Sequence, residues 1–251
     1  MSVNELLQKQ NDGGMAPCLF VLIPVFNEEA SVVLAISEIK EVLSSLKNKY
    51  KTRIIIINDG STDKTRQELE KIEVDKIITH TKNRGLGAAV RTGLNYAKLH
   101  GADFVIKIDA DLQHDAKDIL KLMNLLETDQ IDLVYGNRFL GLEYKMPLIR
   151  LIGNKVFNKI MSFITGWNIE DGQPGLFGLN RQYLSCFDFQ GDYNYTQQLL
   201  LDASHKNMRF LQTPISFRKR AYGDSFISFV YPFIVCYQII VMMLGRLCGK
   251  R

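Results

Sequence analysis

The chain has 251 residues, 46% of them hydrophobic and 23% charged, a balance that supports a sizeable packed core and excludes a disordered or fibrous polypeptide. Its net charge of +4 comes without an arginine-rich run or interleaved aromatics, so an anionic ligand or a membrane surface is the expected partner and nucleic acid is not. Four cysteines, Cys18, Cys186, Cys236 and Cys248, lack C-x-x-C spacing and histidine-rich company, which argues against zinc and against a disulfide framework.

Residues 1–16 read as a polar tail with Gly13-Gly14 and no apolar stretch after a basic start, so nothing there is expected to carry the domain across a membrane. Beyond it, short β-branched runs at 19–24, 53–57, 76–80, 103–109 and 132–135 predict strands. Between them, helical spacing falls near 28–47, 63–73, 86–99 and 116–128. This alternation implies an α/β fold with a mostly parallel central sheet flanked by helices. Ligands of such folds bind outside the carboxyl ends of the strands.

The polar motifs lie at those ends. The first strand runs into Pro24-Val25-Phe26-Asn27-Glu28-Glu29, the second into Asn58-Asp59-Gly60-Ser61-Thr62-Asp63, and the fourth into Asp109-Ala110-Asp111-Leu112-Gln113-His114. Ser61, Asp63 or Asp115 would serve as an ordinary helix cap. Three acidic strand ends on one edge point further, to a ligand. Asp109 and Asp111, one residue apart, would face one side of a strand. Such a pair suits Mg²⁺, which takes one or two carboxylates and completes its shell with water and substrate phosphates. The edge therefore reads as a site for a nucleotide diphosphate.

The third strand leads into Asn83-Arg84-Gly85-Leu86-Gly87-Ala88-Ala89-Val90. This departs from the dinucleotide fingerprint G-x-G-x-x-G, because Val90 stands at the third glycine and the motif does not follow the first strand. A nicotinamide-dependent oxidoreductase is thereby disfavoured. The glycines instead predict close backbone approach at a helix start, where free N–H groups and the helix dipole favour an anion.

From Leu19 to Phe226 these motifs resemble a family-2 inverting glycosyltransferase of the GT-A fold, within it the polyprenyl-phosphate, dolichol-phosphate mannose synthase-like branch. The resemblance implies that Pro24, Phe26, Glu28 and Asp59 hold the base and ribose of a UDP- or GDP-sugar, and Gly85 of the anion-favouring glycine loop is expected in the same nucleotide-sugar site. It implies that Asp109, Ala110 and Asp111, with Gln113 close behind, hold Mg²⁺ or Mn²⁺ and the diphosphate. Arg138 in Gly136-Asn137-Arg138-Phe139 matches a basic position near the diphosphate and acceptor, and Arg220 in Arg220-Ala221-Tyr222-Gly223-Asp224-Ser225 matches another. The branch carries a lysine after that serine where this chain has Phe226, which makes Arg218 or Lys219 the candidate substitute.

On the acceptor side, Ile169-Glu170-Asp171-Gly172-Gln173-Pro174-Gly175-Leu176-Phe177 resembles the segment lining the family's acceptor pocket. Asp171 would be a general base if the acceptor is a hydroxyl. It would only orient an acceptor phosphate monoester, whose second pKa near ~6 leaves it largely anionic at neutral pH. Three readings follow: transfer to a polyprenyl phosphate, transfer to a saccharide, protein or lipid hydroxyl, and a non-catalytic nucleotide-sugar-binding subunit.

Phe226 to Gly245 is a stretch of uncharged residues flanked by Arg218, Lys219 and Arg220 before it and Arg246, Lys250 and Arg251 after it. Its length suffices to span a bilayer, but the symmetric flanks give no direction. The expected organisation is a tail at 1–16, a catalytic domain at 17–225 and a membrane-associating apolar helix at 226–251, on the cytoplasmic face of a membrane. An interfacial or re-entrant helix is placed ahead of a single span, with a buried core helix third. The same helix pairing with itself would give a homo-oligomer. Upstream, a helix starting after Pro147 mixes basic residues with the apolar Val156 to Ile164, and would touch anionic headgroups or pack on the domain.

Overall fold

A computed structural model describes residues 16–128, 131–140, 148–190, 192 and 195–219. In chain order these form β1 (Cys18–Val25), α1 (Val32–Ser44), β2 (Lys51–Asn58), α2 (Thr65–Leu69), β3 (Lys76–Thr79), α3 (Leu86–Leu99), β4 (Phe104–Lys107) and α4 (Asp118–Thr128). There follow β5 (Leu133–Asn137), a 3₁₀ turn at Arg138–Leu140, α5 (Leu148–Thr165), β6 (Phe177–Asn180), α6 (Arg181–Cys186), α7 (Tyr195–His205) and β7 (Phe210–Pro214).

The strands make one sheet in the order β3-β2-β1-β4-β6-β5-β7, in which β6 alone runs antiparallel to its neighbours. Successive residues of β1 face opposite sides. Phe20 and Leu22 join a core with Ala89, Val90 and Leu94 of α3 and Leu199 and Leu200 of α7. Leu19, Val21 and Ile23 join a second core with Ile36 and Ile39 of α1 and Ile119 and Leu122 of α4. Burial on both sides is why β1 reads as an unbroken apolar run. Because β2, β1 and β4 are parallel neighbours, the loops leaving their carboxyl ends lie side by side.

The helix expected at 28–47 is shorter, Val32–Ser44, because Asn27 takes φ 53° and the chain turns through residues 27–31 before the helix starts. The helix expected after Pro147 is α5. The strand expected at 103–109 ends at Lys107. β6 and β7 were not expected: Phe177–Asn180 is four residues with a glycine, and Phe210–Pro214 is a half-exposed edge strand closed by proline. Neither carries the β-branched run that marks the inner strands.

Arg220 and residues 226–251, with the predicted membrane-associating helix, lie outside the described residues. Among the described residues no helix is long and apolar enough to cross a membrane.

Candidate active site

The loops after β1 and β2 are laced together through side chains. Asn27 N donates to Ser61 Oγ at 3.1 Å, and Asn27 Oδ1 accepts from Thr62 N at 2.8 Å. Glu28 N donates to Thr65 Oγ1 at 2.8 Å, Glu29 N to Asp63 Oδ2 at 3.2 Å, and Lys64 N to Glu29 Oε2 at 2.7 Å. Ser61 thus serves the neighbouring loop, while Asp63 Oδ1 accepts from Thr65 N, the first amide of α2, at 2.9 Å. Pro24 is buried at the end of β1, while Phe26 and Glu28 are half-buried at the rim.

Asp59 is buried, and its carboxylate organises the glycine loop. Its Oδ1 meets His80 Nδ1 at 2.6 Å and accepts from Arg84 N at 3.0 Å, and its Oδ2 accepts from Gly85 N at 2.8 Å. Gly85 takes φ 92° at the start of α3, a conformation L side chains rarely adopt. Gly87 N donates to the Asp192 carbonyl at 2.8 Å. The anion expected at this helix start is therefore present as a side chain of the protein itself. Asp59 and Gly85, both expected at the nucleotide, meet each other here.

Because β4 ends at Lys107, Asp109, Ala110 and Asp111 stand on a loop, and the one-side argument applies instead to Lys107 and Asp109. Ile108 N still donates to Leu22 O at 3.1 Å, which keeps the chain extended between them. Lys107 is fully buried, its Nζ 2.5 Å from Asp109 Oδ1 and 3.0 Å from the Gly175 carbonyl. Ala110 is buried, and Leu112 at φ 62° turns the chain. Asp111 Oδ1 accepts from Gln113 N at 3.1 Å.

This loop leans on the exit of β7. Arg218 N donates to Gln113 O at 2.7 Å, and Gln113 Nε2 donates to Arg218 O at 3.3 Å. The Arg218 guanidinium pairs with Asp115 at 3.1 Å and Glu38 at 3.6 Å, so it braces the loop from outside. Asp115 also accepts from Lys117 N at 2.9 Å, in the turn that precedes α4.

His114 is buried beneath the same loop, with Nε2 3.9 Å from Asp109 Oδ2 and no hydrogen-bond partner for Nδ1 among the described residues. Burial pushes its pKa down to about 3. Asp109 opposes that shift, Lys107 and Arg138 reinforce it, and Asp171 opposes it, so the ring is neutral at physiological pH. Gly175 closes over both groups. A Cβ there would stand 2.2 Å from Asp109 Oδ2 and 2.3 Å from His114 Nε2, so the acceptor-side segment reaches this depth only with glycine.

Arg138 follows directly on β5, and its guanidinium grips Asp171 in a fork, Nε to Oδ2 at 2.7 Å and Nη2 to Oδ1 at 2.9 Å. Arg138 N adds a third bond to Asp171 Oδ2 at 3.1 Å, and Gln173 N donates to Oδ1 at 3.2 Å. Asp171 is 1% exposed. The guanidinium also lies 5.3 Å from the Phe217 ring centre and 6.0 Å from that of Phe139. The segment carrying Asp171 is held by two side chains the sequence did not flag. Gln212 of β7 accepts from Glu170 N at 2.7 Å and donates to Asp171 O at 2.6 Å, and Asn158 of α5 bonds Glu170 O and accepts from Gly172 N.

The donors at the loop after β4 fit a hard divalent cation. Asp109 Oδ2 lies 3.9 Å from His114 Nε2, and Asp111 and Gln113 on the same loop would add further oxygens to the set. Among the described residues no group of three His, Cys, Asp or Glu side chains forms a cage. Two carboxylates leave room for water and substrate phosphates, as Mg²⁺ requires.

Residues 20–187 match the family model described as Glycosyl transferase family 2. The chain is 27% identical over 250 residues to the UDP-N-acetylglucosamine–dolichyl-phosphate N-acetylglucosaminyltransferase of Methanococcus voltae, covering 91% of this chain and 97% of that one. It is 26% identical over 219 residues to the polyprenol monophosphomannose synthase of Mycolicibacterium smegmatis, covering 83% and 80%. Glucosyl-3-phosphoglycerate synthase from Mycobacterium tuberculosis, solved with Mg²⁺ and UDP, superposes with a TM-score of 0.68 at 18% identity, over 100% of this chain and 85% of that one. That likeness establishes the GT-A type of fold.

Proposed function

This chain belongs to glycosyltransferase family 2, and from that membership we propose that it moves a sugar, with inversion, from a UDP- or GDP-sugar to a polyprenyl phosphate at the cytoplasmic face of a membrane. The observation that carries the acceptor assignment is the state of Asp171. A hydroxyl acceptor must lose a proton to a base. Both Asp171 oxygens already accept hydrogen bonds, and the fork from Arg138 occupies the side chain. An acceptor phosphate needs no base, since its second pKa is about 6. Asp171 then orients Arg138. The names of the relatives from M. voltae and M. smegmatis, a dolichyl-phosphate N-acetylglucosaminyltransferase and a polyprenol monophosphomannose synthase, support the same acceptor class.

In this reading an oxygen of the acceptor phosphate attacks the anomeric carbon from the face opposite the donor diphosphate. The bond from that carbon to the β-phosphate oxygen breaks, and the nucleoside diphosphate departs with the electron pair. Asp109 and Asp111, with Gln113 beside them, would hold Mg²⁺ or Mn²⁺, which when bound would supply charge neutralisation to the leaving diphosphate. Arg138, held rigid by Asp171 and the two phenylalanine rings, places fixed positive charge at the same point. Pro24, Phe26 and Glu28 with the Asp59 and Gly85 loop form the wall for base and ribose. Arg218 braces this wall's neighbouring loop, which leaves Arg220 as the basic residue assigned to the acceptor phosphate.

α5 supports the membrane assignment. Val156, Ile160 and Phe163 recur at helical spacing and are 56%, 41% and 89% exposed, with Lys155 and Lys159 exposed alongside. An apolar stripe edged by lysines suits an anionic lipid surface. Vesicles of anionic lipid carrying polyprenyl phosphate are expected to sediment the protein and to stimulate nucleotide release from its donor sugar. Phe163→Asp should weaken sedimentation several-fold without lowering the melting temperature. Nucleotide release stimulated by sugar alcohols and indifferent to polyprenyl phosphate would overturn the acceptor assignment.

A further inference from the structure

We propose that Lys107 is a built-in counter-cation which Asp109 shares with the donor's metal, so that the protein takes up the divalent ion together with the nucleotide and binds it weakly alone. The inference rests on the assignment of the metal to Asp109 and Asp111. Lysine is almost never fully buried unless paired. Here it is 0% exposed in the middle strand of the sheet, beside Leu22 of β1 and Phe177 of β6, and its ammonium lies 5.8 Å from the Tyr195 ring centre. Its partners are Asp109 Oδ1 at 2.5 Å and the Gly175 carbonyl at 3.0 Å.

The local charge follows directly. Lys107 pairs with Asp109, and Arg138 is matched by Asp171. A divalent ion entering alone meets a carboxylate already shared with Lys107 and the repulsion of that fixed ammonium behind Asp109. A diphosphate brings the missing charge and further oxygen ligands, so metal and nucleotide each raise the affinity for the other. Lys107 acts through Asp109 and is a positioning residue. Its contact with Gly175 O also makes it the joint between the diphosphate loop and the segment that carries Asp171.

The test is Mn²⁺ binding to the purified full chain, followed by the electron paramagnetic resonance of free Mn²⁺, with and without UDP. Lys107→Met removes the charge at similar volume, and Lys107→Gln removes it while keeping a donor for the Gly175 carbonyl. Without UDP, both variants should bind Mn²⁺ roughly tenfold or more tighter than the wild type, and UDP should add correspondingly less to their affinity. A gain in affinity is not what a damaged fold produces. Should neither variant fold, the wild type alone decides: Mn²⁺ affinity must rise about tenfold or more with UDP, and equal affinity would overturn the inference. Mn²⁺ binding that depends on UDP but is unchanged or weakened in the folded variants would also overturn it. Absence of Mn²⁺ binding in every protein, UDP included, would overturn the metal assignment together with the inference.

Discussion

Asp111→Ala should reduce sugar transfer by about a thousandfold or more while leaving the protein folded. Asp111 stands on a loop beyond the end of β4, where it accepts from the backbone amide of Gln113. Losing that bond costs about 1 kcal/mol of stability, small beside the two cores built on β1. Losing a carboxylate that holds the metal against the leaving diphosphate costs far more in the transition state. A single well-placed electrostatic group is worth about 10²- to 10³-fold, and here the metal's own contribution goes with it. Each ~1.4 kcal/mol of barrier is tenfold in rate. Transfer of labelled sugar, measured beside a thermal melt, checks both halves. A variant that melts like the wild type and keeps its rate would remove Asp111 from the site.

Arg138→Lys and Asp171→Asn should each lower kcat by about 10²-fold, and the double variant should lose little more than either alone. Lysine cannot reproduce the two-pronged grip on a carboxylate, because it presents a point charge in place of a planar fork. Asparagine at 171 keeps the volume but loses the charge that draws the guanidinium into place. Two residues that act as one unit give losses that fail to add, whereas a general base at Asp171 working independently of Arg138 would give losses that multiply. The same kcat series, taken with a polyprenyl phosphate acceptor across pH, separates the cases. Without a proton to transfer through Asp171, the Asp171→Asn profile should keep the wild-type shape at a lower rate.

The inner strands and the motifs at their ends were legible because both follow from local rules. A strand buried on two faces must be apolar throughout, and a polar loop after it stands out. β1, β2 and β4 therefore declared themselves, and their adjacency brought Phe26, Asp59 and Asp109 to one edge. The outer half of the sheet was not legible. β6 is antiparallel and contains Gly178, whose added Cβ would stand 2.5 Å from Ile106 Cδ1, so its composition answers to a neighbour far away in sequence.

Lys107 was visible as the one charge in the run Phe104-Val105-Ile106-Lys107-Ile108, but nothing local said that it lies under Asp109. Asn158 and Gln212 carried no signal, since an amide that holds a backbone segment resembles any surface amide until the segment is seen against it. For Asp171 the sequence left two roles open. Its meaning depended on Arg138, thirty-three residues earlier, and on which of their atoms meet.

The central claim is transfer to a lipid phosphate, and the most direct test offers the purified protein a labelled UDP- or GDP-sugar with Mn²⁺ and two acceptors side by side, a polyprenyl phosphate and the same polyprenol without its phosphate. Label should pass into the organic phase with the phosphate alone, and EDTA should abolish it. Label passing equally to the alcohol, or to neither while a soluble hydroxyl acceptor is glycosylated, would contradict the account.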